Sequence, residues 1–167
     1  TAAVQSANKA VHEQRTAAGT DMGNTLVAVL VRGGRALIAN VGDSRCYYLD
    51  ADGIRQISVD HSLVERLVAT GQITRDEAAH HPQRNVIYRV IGDRSKVEVD
   101  LFEQLLDPGG ALLLCSDGLS GMISNTDIWQ IWHAAGSPQE ACDALVKAAN
   151  EAGGEDNITA LIVQMVV

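Results

Sequence analysis

Apolar and polar positions along the chain predict a helix followed by a series of strands. In "TAAVQSANKAVHEQR", Val4, Ala7 or Asn8, and Val11 recur at helical spacing. After Gly19 the pattern changes to short runs rich in β-branched and apolar residues, which are "NTLVAVLV", "RALIANVG", "SRCYYLD" and "IRQIS". Because tight, glycine-containing turns separate several of these runs, they predict an antiparallel meander.

The rest of the chain alternates between helical and strand-like patterns. Residues 26–31 are almost continuously apolar, which predicts a strand covered on both faces. Residues 61–81 predict two short polar helices, inserted outside the sheet. Further strands are predicted at 96–105 and 110–116, helices at 125–133 and 138–150, and a last strand at 157–167. The order predicts an α+β layered domain with antiparallel sheets and flanking helices.

Four of the predicted helices are preceded by a cap signature, in which Ser or Thr is followed three positions later by an acidic residue. The pairs are Ser62 with Glu65, Thr74 with Glu77, Ser124 with Asp127, and Ser137 with Glu140. The first predicted helix has no such signature, and the chain does not begin with Met. We therefore expect it to be a piece of a longer protein.

Length and charge narrow the functional classes. A chain of 167 residues is long enough for one domain that buries about two-thirds of its surface. Thirteen basic and twenty-one acidic residues give a net charge of −8, which argues against nucleic acid or anionic membranes as partners. No apolar run is long enough to span a bilayer. An acidic protein of this kind needs a metal cation to handle an anionic substrate.

The three cysteines, Cys46, Cys115 and Cys142, lie in apolar surroundings and lack the spacing of a zinc or redox motif. We expect them to be free thiols in a reducing compartment, which predicts a cytoplasmic protein.

Two aspartates stand at the ends of predicted strands. Asp117 follows the apolar run "ALLLC", and Asp156 precedes the last strand. If these strands are antiparallel neighbours, both carboxylates lie at one edge of the sheet, within reach of one Mg²⁺ or Mn²⁺ ion. Both residues are also typical of turns that hydrogen-bond their own backbone, and the same holds for Asp43 in "NVGDSR". Local pattern alone leaves these two interpretations open.

Six segments together resemble one family. They are "GTDMGNTLVAVLV", "ANVGDSRCYYL", "DHSLVERLVATGQITRDEA", "HPQRNVIYRVIG", "LLLCSDGLSGMI" and "GGEDNITALIV". In order and approximate spacing they resemble the bacterial PPM-type, or type 2C, metal-dependent protein serine/threonine phosphatases. The resemblance runs from about Val4 to the last strand.

The resemblance implies a β-sandwich of two antiparallel sheets flanked by helices, with a binuclear Mn²⁺ or Mg²⁺ centre. It implies hydrolysis of phosphoserine and phosphothreonine in proteins by a metal-activated water. Asp117 and Asp156 then resemble ligands of one metal ion, and Asp43 resembles a ligand of a third, weaker site. Residues 60–91 resemble the flap beside the active site. The flap positions singled out by the resemblance are Asp60, His61, His81, Arg84 and Asn85.

The sequence departs from the family pattern in two respects. It contains no Asp-Gly-x-Gly-Gly motif, whose aspartate bridges both metal ions in the family, and it lacks the family's phosphate-binding arginine. Gly121 also stands where many bacterial members have a second aspartate for the third metal site. We therefore expect no catalytic activity from this chain alone.

Two functional hypotheses follow. In the first, the chain is the larger C-terminal part of an active phosphatase that acts on phosphorylated proteins. In the second, it is a non-catalytic PPM-like domain that binds or regulates a partner. Open sheet edges would also permit self-association of the chain.

Overall fold

The structure is a computed structural model and describes residues 1–166. The helices are α1 (Ala2–Ala18), α2 (Leu63–Ala69), α3 (Arg75–Ala79), α4 (Asp117–Ser120), α5 (Asn125–Ala134) and α6 (Pro138–Glu151). The strands are β1 (Leu26–Arg32), β2 (Arg35–Val41), β3 (Arg45–Asp50), β4 (Gly53–Gln56), β5 (Asp100–Leu105), β6 (Ala111–Cys115) and β7 (Ala160–Gln164). They form two sheets, in the orders β1-β2-β5 and β4-β3-β6-β7. The predicted α+β class with antiparallel sheets is confirmed.

The four-stranded sheet contains the most completely buried strands. β3 pairs with β4 on one side and with β6 on the other, and β6 pairs with β7, all antiparallel. On one face of this sheet, Leu113 packs in a cluster with Ile128 of α5 and Leu145 of α6, each fully buried. Leu112, the preceding residue of β6, is also fully buried. Because successive side chains point to opposite faces, this strand is covered on both.

The three-stranded sheet is different, and the prediction of a doubly covered strand at residues 26–31 was wrong. Leu30 of β1 is 66% exposed, and Leu37 of β2 is 40% exposed. The two-residue turn at Gly33 and Gly34, both with positive φ, joins the strands and sets Leu30 opposite Leu37. In β2 the alternate residues Ala36 and Ile38 are buried instead, so this sheet buries one face only.

The helices begin where the cap signatures predicted. The hydroxyls of Ser62, Thr74, Ser124 and Ser137 each accept a hydrogen bond from the backbone N–H three residues later. This satisfies one of the N–H groups that have no partner within the helix. α1, which had no signature, begins without a side-chain cap. The structure adds a short helix that the sequence analysis missed, α4, directly after β6.

The chain folds into two compact units. The first comprises residues 1–27, 39–43 and 59–101, and the second comprises residues 28–38, 44–58 and 102–167. In the first unit, Val4 of α1 packs with Val41, Ile91 and Val97. Asn8, one turn further along α1, is fully buried.

The amide of Asn8 explains its burial. Its Nδ2 donates to the carbonyl of Arg94 at 2.9 Å, and its Oδ1 accepts from the N–H of Gly92 at 2.8 Å. A buried polar side chain is tolerated when it is hydrogen-bonded in this way. Within residues 1–166, no helix has the length and apolar character needed to cross a bilayer.

Candidate metal centre

Asp117 and Asp156 lie on chain segments that contact each other directly. β6 and β7 pair antiparallel with Cys115 opposite Ala160, as the metal hypothesis requires. Beyond the last pair, the Ser116 hydroxyl donates to the carbonyl of Asn157 and accepts from the N–H of Thr159, both at 2.9 Å. The C-terminal end of β6 and the segment that precedes β7 are therefore held together at the same edge of the sheet.

Gly118 is required by this close approach. A Cβ atom at position 118 would lie 2.5 Å from the carbonyl oxygen of Asn157 and 3.3 Å from the carbonyl carbon of Asp156. The first distance is shorter than any Cβ atom tolerates, and the obstructing atom belongs to the backbone. Glycine at this position thus allows the two aspartate-bearing segments to come together.

The two carboxylates have the chemistry that a hard cation requires. Both side chains are exposed, and each uses Oδ1 to accept the N–H of the following residue, Gly118 at 2.9 Å and Asn157 at 2.6 Å. Within residues 1–166, Oδ2 of either aspartate has no hydrogen-bonding partner. Oxygen ligands with water completing the shell suit Mg²⁺ or Mn²⁺, so these residues fit part of a metal site. Among the described residues, no group of three or more His, Cys, Asp or Glu side chains could hold a metal ion.

Gly121 also faces the backbone of Asp117. Its N–H donates to the Asp117 carbonyl at 2.7 Å, and a Cβ atom at position 121 would lie 2.9 Å from that oxygen. An aspartate at this position would need the turn after α4 to shift by a few tenths of an ångström.

Asp43 lies in the first unit, in the turn that follows β2, whereas Asp117 and Asp156 lie in the second. The preceding Gly42 has φ 109° and is buried, and a Cβ atom there would meet Thr25 Cγ2 at 2.5 Å. Glycine is thus required by both backbone conformation and space. The role of Asp43 at a third metal site stays a prediction.

The flap residues fall into two groups. Asp60 is 6% exposed and His61 is 1% exposed. His81, Arg84 and Asn85 belong to a turn in which the Arg84 N–H donates to the His81 carbonyl at 3.0 Å, and Arg84 and Asn85 are exposed. The assignment of residues 60–91 as a flap stays a prediction.

Sequence analysis missed a charged network around His61. Asp100 Oδ2 lies 3.2 Å from His61 Nε2, and Asp100 Oδ1 accepts from Arg89 Nη1 at 2.7 Å. Burial acts to raise the pKa of Asp100, but the hydrogen bonds from Arg89 and His61 and the positive charge of Arg89 outweigh it and hold that pKa below its ordinary value of 3.8. Arg89 also pairs with Glu98 at 2.8 Å. No local pattern joins residues so far apart in the chain.

The comparisons with known proteins agree on the family. A family model described as "Protein phosphatase 2C" matches residues 1–156. A serine/threonine phosphatase stp of Listeria welshimeri is 45% identical over 143 residues, which cover 86% of this chain and 57% of the relative. The chain therefore spans little more than half the length of the curated relatives it matches.

Solved structures are similar over almost the whole chain. The serine/threonine phosphatase Stp1 from Staphylococcus aureus matches with a TM-score of 0.91 and 38% identity, over 98% of this chain and 65% of that one. The catalytic domain of the serine/threonine protein phosphatase PstP in complex with two manganese ions matches with a TM-score of 0.90 and 33% identity, over 99% and 70%. The predicted fold class is confirmed, and the chain belongs to the protein phosphatase 2C family, which depends on Mn²⁺ or Mg²⁺.

Proposed function

We propose that this chain is part of a metal-dependent phosphatase that hydrolyses phosphoserine and phosphothreonine in proteins. The observation that carries the proposal is the hydrogen-bonded contact between Ser116 and the Asn157–Thr159 segment, which brings Asp117 and Asp156 to one edge of the sheet. Family membership and the free carboxylate oxygens support the same assignment.

In this proposal, Asp117 and Asp156 are ligands of one metal ion and Asp43 is a ligand of a third, weaker site. A bound Mn²⁺ or Mg²⁺ ion supplies a more acidic water and neutralises charge on phosphoryl oxygens. Asp117 and Asp156 would hold that ion, and the N–H groups of Gly118 and Asn157 already orient their carboxylates. We also propose that residues 1–167 form one domain with a flap at about 60–91.

Activity is the decisive test. We expect the 167-residue chain alone to hydrolyse p-nitrophenyl phosphate or a phosphothreonine peptide negligibly in Mn²⁺, because a single metal ion activates water and clamps the phosphoryl group poorly. The same residues within a protein of the relatives' full length should be active. In that longer protein, Asp117→Asn or Asp156→Asn should abolish turnover.

The four proteins are assayed side by side, with Asp127→Asn in the longer protein as a control. The Asp127 side chain accepts the Ser124 N–H in the capping box of α5 and takes no part in the proposed metal site. Robust metal-dependent turnover by the chain alone would contradict the expectation of inactivity. An inactive longer protein would favour the alternative, a non-catalytic domain that binds or regulates a partner.

Metal binding is a second test. Two carboxylates and water hold one Mn²⁺ weakly, so calorimetry on the 167-residue chain should give at most one weak site. That site should disappear in Asp117→Asn and in Asp156→Asn. Two tight Mn²⁺ sites in this chain would overturn the ligand assignment.

We further propose that the chain self-associates with a second copy. β1 and β7 are edge strands, and Leu30 and Leu161 on them are 66% and 50% exposed. Open, apolar edges pair readily with another chain. Sedimentation showing only monomer at high concentration would rule this out.

A cytoplasmic location is also proposed, supported by Cys46, Cys115 and Cys142, which form no disulfide bond within residues 1–166. Burial raises the pKa of Cys46 to about 12, which makes this thiol unreactive.

A further inference from the structure

His61 is almost fully buried, yet its ring has polar partners on both sides. Its Nδ1 accepts a hydrogen bond from the backbone N–H of Gly42 at 2.9 Å, and its Nε2 lies 3.2 Å from Asp100 Oδ2 and 2.7 Å from Arg89 Nη1. All of these residues belong to the first compact unit. The ring therefore connects the turn after β2 with the charged network at the start of β5.

Both polar groups of the Gly42 backbone depend on His61. Besides donating its N–H to the ring, Gly42 accepts the His61 backbone N–H on its carbonyl oxygen at 2.9 Å. Asn40 Nδ2 adds a weaker contact to the same oxygen at 3.3 Å. Because Gly42 is buried, its N–H relies on the His61 ring for a partner, and an unpaired buried donor is costly.

The contact with the Gly42 backbone, which cannot rotate away as a side chain can, favours one tautomer of the ring. A neutral imidazole has one donor and one acceptor nitrogen. Since the Gly42 N–H donates to Nδ1, the proton must be on Nε2, where it is donated to Asp100 Oδ2. Arg89 Nη1 lies 2.7 Å from Nε2, which is too close for two donors, so in this tautomer the Arg89 side chain must turn away from the ring and toward Asp100. Its productive contact is the one with Asp100 Oδ1 at 2.7 Å.

We infer that His61 is a positioning residue that holds the Gly42–Asp43 turn, and with it the Asp43 carboxylate, through the hydrogen bond at Nδ1. The carbonyl of Gly42 and the N–H of Asp43 share one planar peptide unit. Fixing both polar groups of Gly42 thus fixes the orientation in which the chain enters Asp43. The link to metal binding rests on the proposed role of Asp43.

A matched pair of variants distinguishes the role of Nδ1 from the role of Nε2. In His61→Asn, the amide oxygen occupies the place of Nδ1 and can accept the Gly42 N–H. In His61→Gln, the amide reaches the place of Nε2 and can contact Asp100 but not Gly42. Both variants lose the ring and half of its polar contacts, so a general loss of packing affects both.

NMR on the 167-residue chain tests the inference, first in the unmodified protein. The ¹⁵N shifts of the His61 ring should report the tautomer with the proton on Nε2. A proton on Nδ1 would overturn the inference, and this measurement does not depend on whether any variant folds.

Hydrogen exchange at the Gly42 amide is then compared between the variants. We expect exchange to be faster by roughly tenfold in His61→Gln, the loss of about one hydrogen bond, and close to the unmodified rate in His61→Asn. Equal acceleration in both variants, or none in His61→Gln, would overturn the role given to Nδ1.

Mn²⁺ titration distinguishes this inference from the proposed function. Paramagnetic broadening of the Asp43 and Ser44 amides should require several-fold more Mn²⁺ in His61→Gln than in His61→Asn. If Mn²⁺ leaves these amides unaffected even in the unmodified chain, the metal role of Asp43 fails. The positioning role of His61 is then tested by the tautomer and exchange measurements alone.

Discussion

β1 and β6 are similar as sequences and opposite in their environments. "LVAVLV" in β1 and "ALLLC" in β6 are both continuous apolar runs. Leu113 of β6 is fully buried, whereas Leu30 of β1 is 66% exposed. β6 lies inside its sheet, between β3 and β7, while β1 is an edge strand. Apolar content therefore predicted that each segment forms a strand, but not how many layers cover it.

The largest expected effect tests the buried side of this comparison. Leu113→Ala removes a side chain that packs with Ile128 and Leu145, and it should lower the free energy of unfolding by about 2–5 kcal/mol. Leu30→Ala is the matched control and should change it by less than about 0.5 kcal/mol. Chemical denaturation of the two variants measures both values. Similar losses of stability in the two variants would mean that the Leu30 side chain is buried and not exposed.

A smaller effect tests the opposite face of the four-stranded sheet. The Tyr48 hydroxyl donates to Asp107 Oδ2 at 3.1 Å and accepts from the Asp107 N–H at 3.2 Å. Tyr48→Phe keeps the ring and removes both bonds, so we expect the free energy of unfolding to fall by about 0.5–1.5 kcal/mol. An unchanged free energy of unfolding, measured with denaturant, would mean that water replaces the hydroxyl. This face would then be less well covered than the burial of Tyr48 indicates.

The exposed leucines allow a test with little effect on stability. Leu30→Lys places a charge on the edge strand β1, opposite Leu37. Because Leu30 is 66% exposed, the free energy of unfolding should change by less than about 0.5 kcal/mol. Sedimentation velocity should show weaker self-association than in the unmodified chain. A large loss of stability would instead indicate that this face is covered.

The smallest expected effect concerns the pH dependence of stability in the three-stranded sheet. Asp100, at the start of β5, has a pKa held below 3.8 by Arg89 and His61. A carboxyl whose pKa is lower in the folded state contributes stability above its unfolded pKa, and that contribution is lost as pH falls through the folded value.

Asp100→Asn should therefore lower the thermal midpoint at pH 7 and reduce its decline in the range below about pH 4. Thermal scans of both proteins between pH 7 and pH 3 measure the difference. If the thermal midpoints of the two proteins differ by the same amount at every pH in this range, the charge of the carboxylate contributes nothing to stability.

Local signals in the sequence predicted the elements well. The four capped helices begin at their signatures because the capping interaction is confined to four consecutive residues. The antiparallel pairing of β6 and β7, which brings Asp117 and Asp156 to one edge, was predicted from strand order and is confirmed by the register.

The six motifs identified the family because they are distributed along the chain from residue 19 to residue 163. Single acidic residues at strand ends could not separate a metal ligand from a turn residue, since both use the same side chain in the same local conformation.

Tertiary structure alone decided burial and the long-range polar contacts. The exposure of Leu30 depends on which layer lies over β1, and apolar sequence is compatible with either outcome. Gly118 is an ordinary turn residue in the sequence, and only the approach of Asn157 to 2.5 Å from its missing Cβ explains it. His61, Asp100 and Gly42 are far apart along the chain, so their hydrogen bonds follow from the packing of the first unit and have no periodic or local signature.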